Sequence, residues 1–407
     1  MVPNGLSQSG ADVGSDLDVD GLVAGQLQEL LERYPPDQVP SAVFFGARYD
    51  LGLACTHYPR GAGGLEGTPR HHRVVEETLR GIGSPDPFPG NPIGIGMVAP
   101  TIAFHGTELQ RNEHLRSIYT GEMVWCQLFS EPGAGSDLAG LATRAERVGD
   151  GWRIDGQKVW TSLAHIAQWG LLLARTDSTV PKHRGLTCFL VDLKTKGVEV
   201  RPLRQITGEA EFNEVFLDDV LVDDNQRLGD VGDGWTVAMT TLMHERVAIG
   251  GAMASRGSGP AELLLSLLTS GDTADRGLVD RSMRLWIEAE LGRLMTLRST
   301  HLAQAGVPGP VGSVNKLFAA EHNKRIFEFV VELMGPSGML YPSETPNAEG
   351  SARTTFRSDP RVAFLRARAN TIEGGTSEIM RNILAERILG LPREAQRDIP
   401  WGETPKY

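Results

Sequence analysis

Cysteine is scarce: Cys55, Cys126 and Cys188 are the only three in 407 residues, they lie far apart and they form no CxxC. Neither a disulfide framework nor a metal site is indicated, and a reducing, cytoplasmic setting is expected. No run of about 18 apolar residues occurs, and no basic region leads into an apolar stretch at the start, so neither a membrane span nor a secretory leader is expected. Basic residues are in deficit. Forty Lys and Arg against 51 Asp and Glu leave a formal charge of −11, with no basic cluster of the kind that neutralises a phosphate backbone, which argues against nucleic acid as a partner. Nor does any predicted strand run through a GxGxxG turn into a helix, so a nicotinamide-binding doubly wound sheet lacks its signature.

What is present is an ordinary globular composition, 40% hydrophobic and 22% charged, in a chain long enough for a large core. Residues 1–19 are rich in Gly, Ser and Asp and read as a flexible tail. Residues 20–122 show helical periodicity broken by Pro- and Gly-rich turns. From 123 to 230 the pattern changes to strands, predicted at Thr143–Val148, Trp152–Trp160, Trp169–Arg175, Leu186–Leu193, Val198–Arg204 and Phe212–Val222, with a hairpin turn at Asp150–Gly151. From 231 to 407 the period returns to 3.6, with helices predicted at Trp235–Ile249, Asp280–Ala303, Val314–Met334 and Ser377–Leu389. The expected class is α+β, a helical domain followed by a β domain and a second helical domain.

Two segments in the β region carry chemistry. SEPGAGSDLAG, Ser130 to Gly140, packs three glycines and two hydroxyls between predicted strands, a composition suited to close approach by a flat or phosphorylated ligand. Taken alone, Gly133 and Gly135 could equally serve tight turns. GQKVWTS, Gly156 to Ser162, places Trp160 and Ser162 on one face of a strand if alternation is strict, although an aromatic at such spacing is often core.

These two segments, together with VELMGPSGML (Val331–Leu340) and ANTIEGGTSEIMRNILAERILG (Ala369–Gly390), resemble acyl-CoA dehydrogenases in order and separation, and the likeness runs from about Val98 to Pro392. The resemblance implies an N-terminal helical domain, a central β domain, a C-terminal four-helix bundle and an FAD cofactor. It also implies that Phe129, Ser130, Trp160 and Ser162 lie against the flavin ring, and that Gly135 and Ser136 line the flavin and thioester region. Thr376 and Glu378 would approach the cofactor from the C-terminal helix. The implied reaction removes an α proton from an acyl-CoA and passes the β hydride to the flavin. The proton is weakly acidic, so a positioned base and donors aimed at the carbonyl oxygen are needed.

The chain departs from the commonest family pattern at the base. Many members carry a Glu immediately before Gly-Thr, where this sequence has Gly374, Gly375 and Thr376. Gly374 cannot take a proton, but its N–H can still donate to the thioester oxygen. Other members place the base on the first long helix after the β domain, before an Arg. LMHERVAIG puts Glu245 there, followed by Arg246 as a substrate-binding candidate, and Glu373 is the second candidate base. A solvated helix carboxylate is the ordinary reading of an isolated Glu such as Glu245, and His244 reads as a packing or surface residue.

A second departure is the absence of R-x-x-F-G, which in relatives contacts FAD across a subunit boundary, from Ser266–Met283. A third is Glu332, at a position often occupied by Gln. Electrons are expected to leave through an electron-transfer flavoprotein, and the chain is expected to be a homo- or hetero-oligomer with a homologous subunit. An acyl-CoA oxidase or monooxygenase of the same fold and a non-catalytic subunit are the competing readings. Oxygen reactivity separates the first two, and Glu245 weighs against the last.

Overall fold

The computed structural model describes residues 13–250, 259–270, 275–304, 311–340, 359–392 and 401. Its contacts divide the chain into two units, Met1–Trp125 with Ala167–Trp169, and Cys126–Ile166 with Gly170–Tyr407.

The first unit is helical: α1 (Val13–Arg33), α2 (Ser41–Asp50), α3 (Pro69–Gly81), α4 (Ala99–His105) and α5 (Glu108–Thr120). α1 starts inside the stretch expected to be a loose tail. Local signals set several helix ends. Thr107 and Gln110 satisfy each other's amides as a capping box at the start of α5, and Gly121 closes that helix in the left-handed region at φ +79°. Val23, Leu27 and Leu30 of α1, Phe44 and Ala47 of α2 and Val75 and Leu79 of α3 form one core, with Leu53 and Leu65 between them.

The second unit joins a sheet to a set of helices. Its strands are β1 (Trp125–Leu128), β2 (Arg144–Val148), β3 (Gly151–Ser162), β4 (Trp169–Arg175), β5 (Leu186–Asp192), β6 (Val198–Leu203), β7 (Phe212–Asp223) and β8 (Arg227–Leu228). They lie in the order β6-β7-β3-β2-β4-β5-β8, with β1 beside β4. The hairpin falls one residue earlier than its sequence signal. Val148 pairs with Gly151, so the turn residues are Gly149 and Asp150, and Gly149 supplies the left-handed φ of +58°. Gly151 is needed for another reason: a Cβ there would come 2.7 Å from the Val222 carbonyl oxygen of β7.

The helices that follow are α6 (Gly234–Gly250), α7 (Pro260–Ser270), α8 (Arg276–Gln304), α9 (Val311–Leu333), α10 (Pro360–Ala367) and α11 (Ser377–Arg387). All five others pack on α9. Leu264 of α7 meets Ile326, Phe329 and Val330 of α9 in a buried seam, with Leu278 and Leu285 of α8 against it. α7 is not among the helices expected from the sequence, although Glu262, Ser266 and Thr269 recur at helical spacing on its exposed face, opposite buried Ala261 and Leu264.

Candidate active site

The Ser130–Gly140 loop is fastened from behind by buried charge. Lys158 of β3 is fully buried, and its Nζ donates to Glu131 Oε1 at 2.8 Å and to the carbonyls of Phe129 and Leu173 at 3.0 and 2.8 Å. Glu131 in turn accepts from the amides of Ala142 at 2.7 Å and Thr143 at 2.9 Å. Burial pushes the Lys158 ammonium down to about 8 against the pull of Glu131. Burial also opposes the Glu131 charge, but Lys158 and the Thr143 and Ala142 donors hold that carboxyl below the usual range. The far end of the loop is held by Arg175, which donates to the carbonyls of Leu141 at 3.1 Å and Ala139 at 2.6 Å. Trp401 covers that guanidinium at 4.4 Å and donates from Nε1 to Gly140 O at 3.3 Å.

Removing one member of such a pair leaves the other charge buried. Lys158→Met is therefore expected to lower unfolding free energy by about 3–5 kcal/mol. Adding Glu131→Gln should restore part of that loss in urea denaturation, and a Lys158→Met protein as stable as its parent would show that the pair does not hold the loop.

The front of this loop is open. Gly133 and Gly135 have no left-handed φ, and a Cβ at either would meet nothing within 4 Å. Gly133 lies in the tight turn that Glu131 and Ala134 close with two backbone hydrogen bonds, but neither glycine's φ nor the space around it requires that residue type. Ser136 is exposed beside Gly135, and Ser130 is half-buried. Phe129 is 4% exposed, so what it can offer a ligand is its backbone.

The strict alternation expected along Gly156–Ser162 is broken by a bulge. The β3–β7 register shifts between Lys158 and Thr161, Trp160 takes φ +60°, and Leu163 follows at +63°. The consequence for the site is favourable: Lys158, Val159 and Thr161 point to the core, while the Trp160 indole is 58% exposed with its ring edge-on to Phe212 at 5.9 Å. Ser162 is half-buried beyond it. A left-handed tryptophan costs about 1–2 kcal/mol. Trp160→Gly should accordingly leave the apoprotein at least as stable in thermal melts, yet weaken FAD binding by about tenfold, or about 1.4 kcal/mol. A lower apoprotein melting point with unchanged FAD affinity would make Trp160 a packing residue.

The C-terminal loop supplies donors. Gly374 and Gly375 are both left-handed, at φ +64° and +97°, and Thr376 caps α11 by accepting from the Ile379 amide at 3.2 Å. Among the described residues, no acceptor of the chain takes the amides of Gly374, Gly375 or Thr376. Glu378 is exposed in the first turn of α11, beside Arg381 at 3.5 Å. Glu373 is tied down: Arg366 donates to its two oxygens at 3.1 and 2.8 Å, and Asn370 Nδ2 to Oε1 at 2.7 Å. Lys316 of α9 donates to the Asn370 carbonyl at 3.0 Å.

Glu245 lies on α6 four residues after the fully buried Thr241, which itself follows buried Val237 and Ala238 at helical spacing. It thus continues the interior stripe and is half-buried, unlike exposed Met243. His244 is half-buried, and burial lowers its pKa. The side chain of Arg246 lies outside the described residues.

These groups fit an isoalloxazine: open space over glycines, an exposed indole held rigidly, two serine hydroxyls and spare backbone donors. At the other end, Glu332 is forked by Arg281 at 2.7 and 2.9 Å, and α7 and α8 carry no R-x-x-F-G. The three cysteines are free and buried, and the described residues hold no cluster of metal-ligating side chains. No described helix is long and apolar enough to cross a membrane.

Sequence reasoning missed Lys158, Glu131, Arg175 and Arg366. The available signal was a lysine inside a strand pattern, two residues before the tryptophan.

A helical unit followed by a unit of sheet and helices defines an α+β protein, with an open glycine loop next to the strand that carries Trp160. Family profiles described as the N-terminal, middle and C-terminal domains of acyl-CoA dehydrogenase match residues 19–122, 126–220 and 232–389. The chain is 43% identical to acyl-CoA dehydrogenase FadE34 of Mycobacterium tuberculosis over 353 residues, covering 84% of this chain but 45% of FadE34. It is 41% identical to acyl-CoA dehydrogenase IpdE1 of the same organism over 348 residues, 85% of this chain and 86% of IpdE1. Among solved structures, the ChsE4–ChsE5 complex from M. tuberculosis matches with a TM-score of 0.66 and 26% identity, over 93% of this chain and 98% of that one. The chain belongs to the acyl-CoA dehydrogenase family.

Proposed function

We propose that this chain dehydrogenates an acyl-CoA between its α and β carbons with Glu245 as the base. The observation that carries this reading is Glu245 on the interior stripe of α6, in a chain whose usual base position is Gly374. The Glu245 carboxylate takes the α proton as the positioned base. The amides of Gly374, Gly375 and Thr376 hold the thioester oxygen, where enolate charge develops. FAD, held at this site, would supply the acceptor for the β hydride, so that the substrate would lose two hydrogens and gain a double bond. Trp160, Ser162 and Ser130 orient the ring, and the Lys158–Glu131 pair keeps the Ser130 loop against β3. The electrons pass on to an electron-transfer flavoprotein.

The acyl group is branched or bulky. Gly374 leaves no side chain beside the acyl chain, and relatives of about 30% identity include the short/branched chain specific acyl-CoA dehydrogenase of Bos taurus, matched over 70% of this chain. Comparing kcat/KM for butyryl-CoA, isovaleryl-CoA and a steroid side-chain CoA tests this. Either bulky substrate should lead, and a clear preference for butyryl-CoA would sink it.

The assembly includes an unlike homologous subunit. Val279, Met283, Ile287, Leu291 and Leu294 form an exposed apolar stripe along α8, and Ile388, Leu389 and Leu391 are exposed after α11. The solved ChsE4–ChsE5 structure is a complex of two differently named chains. FadE34, of which this chain covers 45%, has length for a second body of similar size.

A further inference from the structure

The geometry points to Arg366 as a positioning residue that holds the Gly374–Gly375 loop in register with the end of β3 carrying Trp160 and Ser162, an inference that rests on the dehydrogenase reading above. One guanidinium makes all the contacts. Two of its nitrogens fork onto Glu373, next to Gly374, at 3.1 and 2.8 Å, and its Nε donates to Glu211 Oε1 at 2.9 Å. Its Cζ lies 5.5 Å from the centroid of Phe212, the ring that meets Trp160 edge-on. The Glu211 carbonyl accepts from the Leu163 amide at 3.0 Å, immediately after Ser162. A single side chain from α10 therefore touches the handle of the donor loop and the two residues that brace the strand end.

The loop needs such a brace. Two successive left-handed glycines have wide backbone freedom, so where their amides lie is set by the side chains that grip the loop from outside. Donors to a developing oxyanion act only when placed to within a fraction of an ångström. Lys316 holds the carbonyl side of the loop directly, donating to the Gly375 and Asn370 carbonyls, and Arg366 holds its other end through Glu373. The Arg366 side chain is 15% exposed, so these pairs are shielded far better than surface pairs. The planar fork matters as well: a lysine at this position can serve one carboxylate but cannot bridge Glu211 and Glu373 in the same geometry. Glu373 is then the loop's handle, with its oxygens engaged.

Cinnamoyl-CoA, a conjugated thioester whose absorbance moves to longer wavelength when its carbonyl is polarised, reads the loop directly in the FAD-loaded protein, with its partner subunit where loading requires one. The unaltered protein and Glu245→Gln should shift the probe equally. Arg366→Gln and Glu373→Gln should lose at least half of the shift and reduce flavin about tenfold or more slowly, with KM changed less than kcat. Arg366→Lys should recover part of both. If Arg366→Gln melts early or loses FAD, Glu373→Gln decides alone, since it removes only the charge of the handle. A full probe shift with normal flavin reduction in Glu373→Gln overturns the positioning role and leaves the dehydrogenase reading standing. Absence of any shift in the unaltered protein overturns that reading's donor loop, and this inference with it.

Discussion

Glu245→Gln is expected to slow reduction of the bound flavin by acyl-CoA by at least about 10²-fold, or about 2.7 kcal/mol of barrier, while FAD remains bound. The substitution keeps the shape of the side chain and its place on α6 one turn after Thr241, so packing should be preserved and only proton acceptance lost. Glu373→Gln should act differently, reducing rate through loss of the Arg366 fork and not through loss of a base. Exchange of the α hydrogen separates the two: deuterium uptake at the α carbon of a bound thioester should persist, at a lower rate, in Glu373→Gln and be lost in Glu245→Gln. Near-normal reduction in Glu245→Gln together with an inactive Glu373→Gln would transfer the role to Glu373.

The second large effect concerns cofactor loading. Expressed alone, the chain is expected to be clearly substoichiometric in FAD and to reach full occupancy only with an unlike homologous subunit. The flavin-ring end has an open glycine loop, an exposed indole and spare amides, whereas the segment that would carry R-x-x-F-G lacks it and Glu332 is taken by Arg281. Binding of FAD to the folded state stabilises it by mass action, so the melting temperature should rise steeply with added FAD in the paired form and little in the single chain. The α8 stripe gives a second handle on the same claim. Replacing Ile287 and Leu291, both about half exposed, with Glu should prevent pairing and lower FAD occupancy in step, with the helical content of the single chain unchanged. A stable homo-oligomer with full FAD occupancy would remove the unlike partner and leave the dehydrogenase assignment intact.

Much of this was legible in the sequence because the signals are local. The strand runs, α8, α9 and α11 follow from periodicity, and the four motif blocks carry the family likeness without any coordinates. Where reading failed, the cause was long-range. The hairpin was placed one residue late because Gly149 and Gly151 are both glycines, and only pairing with β7 shows that Gly151 avoids the Val222 carbonyl while Gly149 makes the turn. Alternation along β3 failed at Trp160 because a bulge is set by the register with β7. Lys158 and Glu131 are 27 residues apart, and Glu211 and Arg366 are 155 apart, so neither pair leaves a spacing pattern to recognise. Gly374 at the usual base position, by contrast, is plain in the sequence and makes Glu245 the candidate base; α6 carries that residue half-buried, four residues after Thr241.

The most direct test of the central claim is anaerobic titration of the FAD-loaded protein with a panel of acyl-CoAs, followed by flavin absorbance, with Glu245→Gln in parallel. At least one branched or bulky thioester should bleach the flavin promptly and yield the α,β-unsaturated product, and the same thioester should bind to Glu245→Gln with little bleaching. Failure of every thioester to bleach the fully loaded protein, or equal bleaching by Glu245→Gln, would contradict it.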